Sequence, residues 1–347
     1  MNTHQTGTNL NGIDAIKLFA ACMVVLLHST ETFQVYLPSL VTHTFCELAV
    51  PFFFLASGYL FATGLETGKP SERMRKSTCK LVKLYAFWGI IALGPFLIYD
   101  YLNIDKYANA SGAYMFLILM RRFFIAGAGP YWYLLGLLLS FFIIYPIRNK
   151  TRLLFILAAS TLSLTIMYES FREHSSNILG LAQMCECLDF MYSGKNNFLT
   201  LGIPFTTIGY LIRKTNFHLP KHLAYASAFT ATLLCLLEYM IQSQPARIST
   251  MYIVQSTAMF LAALEWAPNS TPSWSKKIRA LSSFIYFSHW FVLYYLVKPI
   301  LILTMNLQPW MPESIAPKAI ITIIICTLIY LGLQRFNHPF IRFVTNG

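Results

Sequence analysis

The most informative feature of this sequence is how little charge it carries. Only 12% of its 347 residues are Asp, Glu, Lys or Arg, whereas 56% are apolar and the mean hydropathy is +0.53. A soluble globular domain has about 25% charged residues, so this composition excludes an ordinary soluble protein and indicates an integral membrane protein. No short leader with a small-residue cleavage site precedes Gly12, so we expect the first apolar stretch to be a retained span.

The sequence also lacks the short motifs that identify many enzyme and metal sites. Its seven Cys residues have no zinc-binding spacing, so we predict no metal site. There is no Gly-x-Ser-x-Gly nucleophile elbow, no phosphate-binding P-loop and no His-x4-Asp motif. Solenoid repeats, low-complexity tracts and linkers are absent as well, so we expect residues 1–347 to form a single integral-membrane domain.

Ten apolar stretches are long enough to be membrane-spanning helices, since a span needs about 20 apolar residues. They are residues 13–36, 46–64, 81–102, 131–147, 152–168, 197–212, 223–241, 250–267, 281–304 and 316–334. The shorter apolar segment 113–126 contains Arg121 and Arg122, and we interpret it as an interfacial or re-entrant piece. The predicted fold is therefore an all-α polytopic membrane protein with about ten transmembrane helices.

The positions of the basic residues predict which side of the membrane each connecting segment faces. If the N-terminus is cytoplasmic, 18 of the 26 Lys and Arg residues fall on the cytoplasmic side and 8 on the other. Cytoplasmic segments of membrane proteins carry the excess of Lys and Arg, so we predict that both termini are cytoplasmic. The formal net charge of +12 follows largely from this asymmetry, and it requires no nucleic-acid partner.

Four ionisable residues lie in the first predicted span, GIDAIKLFAACMVVLLHSTETF (residues 12–33): Asp14, Lys17, His28 and Glu31. Residues 11 apart lie within about 20° of each other around a helix, so all four share one face, which we expect to point into the protein interior. One interpretation is structural: Asp14 and Lys17 are edge residues whose charges reach the interface, and His28 bonds a neighbouring helix. For His28 we favour a catalytic role, because histidine is suited to proton transfer near neutral pH.

The pattern in this span resembles the start of the acyltransferase-3 family of membrane O-acyltransferases, which has an acidic residue, a basic residue three positions later and a His 11 beyond it. Three further segments are similar to family motifs, in family order: VPFFFLASGYLFATG (50–64), GPYWYLLGLLLSFFIIYP (129–146) and LSSFIYFSHWFVLYYL (281–296). The tail RFNHPFIRFVTNG also resembles the family ending. The basic residue of the family pattern is usually Arg, whereas this chain has Lys17.

This resemblance implies a bacterial inner-membrane O-acetyltransferase, of the enterobacterial-common-antigen type or similar. Such an enzyme transfers acetyl from cytoplasmic acetyl-CoA to a sugar hydroxyl of a surface polysaccharide or lipid-linked glycan, and it holds no bound cofactor. His28 would be the general base. Independently of the resemblance, Glu31 lies one helical turn beyond His28, so its carboxylate either tunes the imidazole or lies at the outer interface. A proton-coupled transporter of a small molecule or glycan is the alternative, because a buried His and Glu also suit a carrier. A structural membrane scaffold is a third interpretation.

Two further sets of residues are candidates for substrate contacts. The charge-rich segment KPSERMRKSTCKLVK (residues 69–83) is either a topology signal or a phosphate site for coenzyme A. With the entrance of the first span, it supplies the predicted donor-binding residues Asp14, Lys17, Arg73, Arg75, Lys76, Lys80 and Lys83. Candidate oxyanion or acceptor contacts are Ser57, Trp132, Tyr133, Tyr286 and His289. The alternatives for these are an interfacial aromatic belt and, for His289, a core hydrogen bond.

Overall fold

The structure, a computed structural model, describes most of the chain. The described residues are 10–33, 39–102, 116–117, 120–127, 129–174, 183, 186, 197–241, 251–266, 274–305, 315–336 and 338–345. Throughout these residues the regular structure is helical and no strand is present. The predicted all-α fold class is confirmed to that extent.

Each of the ten predicted spans overlaps one long helix. These helices are α1 (Asn11–Phe33), α2 (Ala49–Glu66), α3 (Pro70–Leu102), α4 (Trp132–Ile147), α5 (Thr151–His174), α6 (Ile203–Lys214), α7 (Lys221–Ile241), α8 (Met251–Glu265), α9 (Trp274–Val292) and α10 (Ile315–Leu333). Shorter pieces extend some of them. A π-helical turn, Phe198–Gly202, leads into α6, and α9 continues through a π-helical turn, Leu293–Val297, into Lys298–Met305.

Six segments of the described chain are long and apolar enough to cross a membrane. They are Asn11–Ser29, Thr44–Glu66, Phe123–Ile147, Thr151–Tyr168, Lys221–Ile241 and Ser275–Ile300. Two shorter apolar helices, Met251–Glu265 and Pro317–Leu333, have 10–17 residues. The protein is therefore a multi-pass membrane protein, while the full number of ten spans and the cytoplasmic termini stay predictions.

The chain divides into two compact units. The terminal unit consists of Met1–Ala56 and Phe217–Gly347, and the central unit is Ser57–Asn216. In the terminal unit α1 packs against α8, α9 and α10, and α7 packs against α8. In the central unit α4 packs against α3 and α6, and α5 packs against α6. The prediction that residues 1–347 form a single domain stays a prediction.

Helix α7 shows how the apolar sequence divides between protein and membrane. Its buried stripe consists of small residues at helical spacing: Ala224, Ala228, Ala231 and Cys235. Small side chains let two helix backbones approach closely, and this stripe forms a cluster with alanines of α8. The opposite face carries exposed large apolar residues, among them Phe229 and Met240. Such a face suits contact with lipid rather than water.

Candidate active site

Two histidines stack on each other inside the terminal unit. His28, half-buried on α1, lies with its ring centroid 5.3 Å from that of His289 on α9, and the two ring planes differ by only 24°. His289 is fully buried. The indole of Trp290 meets His28 edge-on, with ring centroids 5.2 Å apart. The predicted catalytic histidine therefore has an aromatic environment, with a second imidazole as its stacking partner.

The imidazole of His289 is anchored to its own helix through one nitrogen. Nδ1 lies 2.6 Å from the carbonyl oxygen of Tyr286 and 3.2 Å from that of Ile285. Nε2 is buried and has no hydrogen-bond partner among the residues that the structure describes. The core hydrogen bond of His289 thus uses one side of the ring, and the polar atom on the other side is not used by the described residues.

Tyr286 belongs to the same group of aromatic rings. Its ring centroid lies 6.0 Å from that of His289 and 5.3 Å from that of Phe53 on α2. The side chain is buried, with 4% of its surface exposed. Of the predicted oxyanion or acceptor contacts, the structure brings Tyr286 and His289 together with His28, and their chemical roles stay predictions.

Asp14 is bound by three donors from α9. Its carboxylate accepts hydrogen bonds from Arg279 Nε at 2.9 Å and Arg279 Nη2 at 2.8 Å, and a third from Ser275 Oγ at 2.7 Å. Asp14 is 2% exposed. A paired, bidentate arginine is the arrangement that makes a buried carboxylate tolerable. These partners are not predictable from the residue pattern of α1 alone, and a donor-binding role for Asp14 stays a prediction.

The Asp14 contact and the histidine stack are separated by the same number of residues on both helices. Asp14 and His28 are 14 apart on α1, and Ser275 and His289 are 14 apart on α9. Asp14 contacts Ser275 near the start of both helices, and His28 contacts His289 14 residues later on both, so α1 and α9 are parallel. Fourteen residues are two heptads, the period at which parallel helices in left-handed packing meet again. The two contacts therefore fix one register at points about 21 Å apart along the helices.

The midpoint of this parallel pair is occupied by small residues. Seven positions after Asp14 stands Ala21, and seven after Ser275 stands Ser282. Ala21 is fully buried and Ser282 is 1% exposed. Small side chains at such positions allow close helix approach within a membrane. The heptad spacing is the sequence signal that could have indicated Ser275 and α9 as the partners of the first span.

The other two residues of the predicted polar face lie on α1 as well. Lys17 is half-buried, one helical turn beyond Asp14. Glu31 lies within the last turns of α1, but its side chain is outside the part of the chain that the structure describes. The tuning of His28 by Glu31 therefore stays a prediction.

The five predicted donor-binding cations of residues 69–83 lie on the first turns of α3, in the central unit, and all are exposed. Arg73, Lys76, Lys80 and Lys83 follow one another at intervals of three or four residues, which places them on one side of the helix. Lys76 forms an ion pair with Glu72 at 2.6 Å. Its hydrogen bond, with its charge, lowers the pKa of the Glu72 carboxyl. Part of the positive charge at this site is thus neutralised.

Arg73 also lies against the neighbouring helix. A Cβ added at Gly64 on α2 would come within 2.2 Å of Arg73 Nε, so glycine leaves the space that this side chain uses. Two residues further along α2, Glu66 accepts a hydrogen bond from Arg213 Nε at 2.9 Å. These contacts place two arginines of the central unit at the same end of α2. This end of α2 is therefore lined by basic side chains, one of which, Arg213, is paired with Glu66.

Ser57 and Tyr133 form a hydrogen-bonded pair in the central unit. Ser57 Oγ and Tyr133 Oη are 2.8 Å apart and join α2 to α4. Tyr133 is 7% exposed, and Trp132 beside it is half-buried. The predicted oxyanion contacts thus fall in two groups: Tyr286 and His289 in the terminal unit, and these three residues in the central unit. The structure describes each group within its own unit.

The described part of the chain contains no group of three or more His, Cys, Asp or Glu side chains placed to hold a metal. What the terminal unit presents is an imidazole pair in an apolar, aromatic setting. Neutral imidazole can accept a proton through one nitrogen and donate through the other. The arrangement suits proton transfer within a multi-pass membrane protein.

Comparison with known proteins assigns this membrane protein to a family of enzymes. Residues 10–331, nearly the whole chain, match the acyltransferase domain of the acyltransferase-3 family. The chain belongs to that family, and it is a multi-pass membrane protein. The resemblance seen in the sequence motifs is therefore confirmed.

A curated amino-acid racemase from Enterococcus faecalis is 33% identical over 82 residues. The match covers 22% of this chain, and the chain spans 12% of the length of that racemase. No solved structure matches this chain.

Proposed function

We propose that this protein is an O-acetyltransferase that moves an acetyl group from acetyl-CoA to a sugar hydroxyl, with His28 as general base. The observation that carries the proposal is the histidine stack within a chain of the acyltransferase-3 family. His28 is half-buried, whereas its partner is fully buried. Of the two rings, His28 is therefore the one that a substrate reaches more readily.

The chemistry requires one proton transfer at the attacking oxygen. The hydroxyl oxygen attacks the thioester carbonyl, His28 takes the hydroxyl proton, and the C–S bond breaks to give the ester and the CoA thiolate. The proton then passes from the imidazolium to the thiolate, which restores both groups. A positioned general base contributes about 10²- to 10⁴-fold to the rate of such a step. A transient acyl-His28 intermediate is the second route to the same products.

The donor site is proposed to be the exposed basic surface of the central unit. Coenzyme A carries several phosphate groups, which clustered Arg and Lys side chains recognise through charge-assisted hydrogen bonds. The stripe formed by Arg73, Lys76, Lys80 and Lys83 offers such groups to solvent. Arg75 adds a fifth exposed cation nearby, and Lys17 is proposed to assist at the entrance of the first span.

Neutralising three of these cations tests the donor site. We expect the triple variant Arg73→Gln, Arg75→Gln, Lys76→Gln to raise the Kd for acetyl-CoA at least 10-fold and to reduce its dependence on salt, because the lost contacts are ionic. Isothermal titration of the purified protein measures both quantities. Lys221→Gln, which removes an exposed cation from the start of α7, is the matched control. If a correctly inserted triple variant binds acetyl-CoA with unchanged affinity, these three cations serve only as a topology signal.

The family resemblance supports a proposal for the acceptor and the cellular setting. We propose a surface polysaccharide or lipid-linked glycan as acceptor, in the inner membrane of a bacterium. The ten helices are proposed to span that membrane with both termini in the cytoplasm, where acetyl-CoA is available. Supporting this orientation, the segment that carries the donor cations is among the cytoplasmic ones by the distribution of Lys and Arg.

Acetyl transfer from labelled acetyl-CoA tests the proposed function directly. The purified protein in lipid nanodiscs is offered a panel of methyl glycosides and lipid-linked glycans, and labelled ester is quantified. We expect alkali-labile label on at least one glycan, as an ester requires. Movement of glycan across a vesicle membrane without any acylation would instead support the carrier alternative.

A further inference from the structure

The second ring nitrogen of His289, Nε2, is a buried polar atom beside the proposed general base, and its environment requires an explanation. The residue is fully buried, and within the described part of the chain Nε2 has no hydrogen-bond partner. Buried polar atoms are nearly always hydrogen-bonded, because desolvating one without a partner costs free energy. Such an exception inside the site of an enzyme indicates a contact that forms with a ligand.

The backbone contacts of His289 determine what Nε2 can bind. Nδ1 lies at hydrogen-bond distance from two carbonyl oxygens, those of Tyr286 and Ile285. Carbonyl oxygens only accept hydrogen bonds, so Nδ1 carries the hydrogen. In the neutral ring the other nitrogen then has a lone pair and no hydrogen. The unused atom is therefore an acceptor, and its missing partner is an O–H or N–H donor.

The location of Nε2 limits which hydrogen-bond donors can reach it. The ring of His289 is stacked on that of His28, with 5.3 Å between centroids, and both lie among aromatic side chains. A substrate whose hydroxyl reaches His28 therefore lies beside His289 as well. Neither nitrogen of the neutral ring carries a charge, so we expect a neutral O–H or N–H group as the partner of Nε2.

We propose that Nε2 of His289 accepts a hydrogen bond from a hydroxyl of the acceptor sugar, and so positions that sugar against His28. This inference rests on the proposed function. It assigns to His289 a substrate contact separate from the backbone tether made by Nδ1. An N–H of the pantetheine arm of acetyl-CoA is the other source of a neutral donor, and kinetics distinguish the two.

Two amide substitutions separate the tether from the substrate contact. In His289→Asn the side-chain amide can occupy the position of Nδ1 and donate to the same carbonyls, but nothing replaces Nε2. In His289→Gln the longer side chain can place its amide oxygen, an acceptor, near the position of Nε2, while the tether is lost. The two variants thus keep opposite halves of the imidazole.

The measurements are the KM for a methyl glycoside that the wild type acetylates, the KM for acetyl-CoA, and the thermal midpoint in nanodiscs. We expect His289→Asn to keep its thermal midpoint but to raise the glycoside KM at least 10-fold. We expect His289→Gln to be less stable and yet closer to wild type in glycoside KM. The KM for acetyl-CoA should stay within 2-fold of wild type in both.

The opposite pattern would overturn the proposal. If His289→Asn is as active as wild type, the residue serves only as a backbone tether. If the KM for acetyl-CoA rises instead of the glycoside KM, the hydrogen-bond partner of Nε2 is acetyl-CoA and not the sugar. In both cases the wild-type activity still stands, whereas a wild type that acetylates no glycan would refute the proposed function itself.

Discussion

The Asp14–Arg279 contact should hold α1 and α9 in register for the histidine stack, and its removal gives a quantitative prediction. Asp14→Asn keeps the shape of the side chain but removes the charge that the bidentate arginine needs. Breaking a buried ion pair costs about 3–5 kcal/mol, whereas an exposed pair contributes about 0.2–1 kcal/mol. Asp14 is 2% exposed but the side chain of Arg279 is 44% exposed. We therefore expect a loss of about 1–3 kcal/mol, between these limits.

A double-mutant cycle isolates the pair from other effects of each substitution. The single variants Asp14→Asn and Arg279→Gln are combined, and the free energy of unfolding is measured in mixed detergent micelles. Each single change removes the same contact. We therefore expect the loss of unfolding free energy in the double variant to be smaller than the sum of the two single losses by about 1–2 kcal/mol. Lys277→Gln, an exposed cation on the same helix, is the control and should change stability by less than about 0.5 kcal/mol.

The same variants test the coupling of the pair to the active site. A small misplacement of a catalytic group costs up to about 10²-fold in rate. We expect Asp14→Asn to lower kcat by about 10-fold with a smaller change in KM, because His28 and His289 shift relative to each other. Additive stability losses, together with an unchanged kcat, would refute the argument that this contact sets the register of α1 and α9.

Two further predictions concern packing and topology. Gly58→Ala should destabilise the protein by about 1–3 kcal/mol, because the added Cβ would lie 2.0 Å from the carbonyl oxygen of Thr206, whereas Gly332→Ala, with nothing within 4 Å, should have little effect. Thermal unfolding in nanodiscs compares the two, and equal losses would contradict the close approach. A reporter fused at Gly68 should report the cytoplasm, since the Lys and Arg distribution predicts that side. An external signal would reverse the predicted topology.

The helices were predictable from the sequence because their cause is local. Apolar length alone indicated every one of the ten long helices, since a membrane-length apolar stretch can satisfy its backbone only as a helix. Helical periodicity also predicted that Asp14 and His28 share a face, and both contact α9. The π-helical turns, such as Leu293–Val297, were not predicted, because no local residue pattern marks them.

The partners of these residues were harder to predict, because they lie far away in the chain. Arg279 binds Asp14 across 265 positions, and neither helix taken alone indicates which helix it packs against. The matched heptad spacing of Asp14 with His28 and of Ser275 with His289 is a weak signal that becomes meaningful once α1 and α9 are known to be neighbours. The backbone tether of His289, and hence its unused nitrogen, depends on a side-chain rotamer that sequence does not specify.

Acetyl transfer by His28→Ala, at an abundance equal to that of the wild type, tests the proposed role of His28 most directly. In the proposed function, His28 is the general base of acyl transfer. We expect kcat for transfer from acetyl-CoA to a glycan to fall by about 10²- to 10⁴-fold, with normal insertion. His222→Ala, which removes an exposed histidine of α7, should retain full activity. Near-full turnover by His28→Ala would contradict the account and remove His28 from the mechanism.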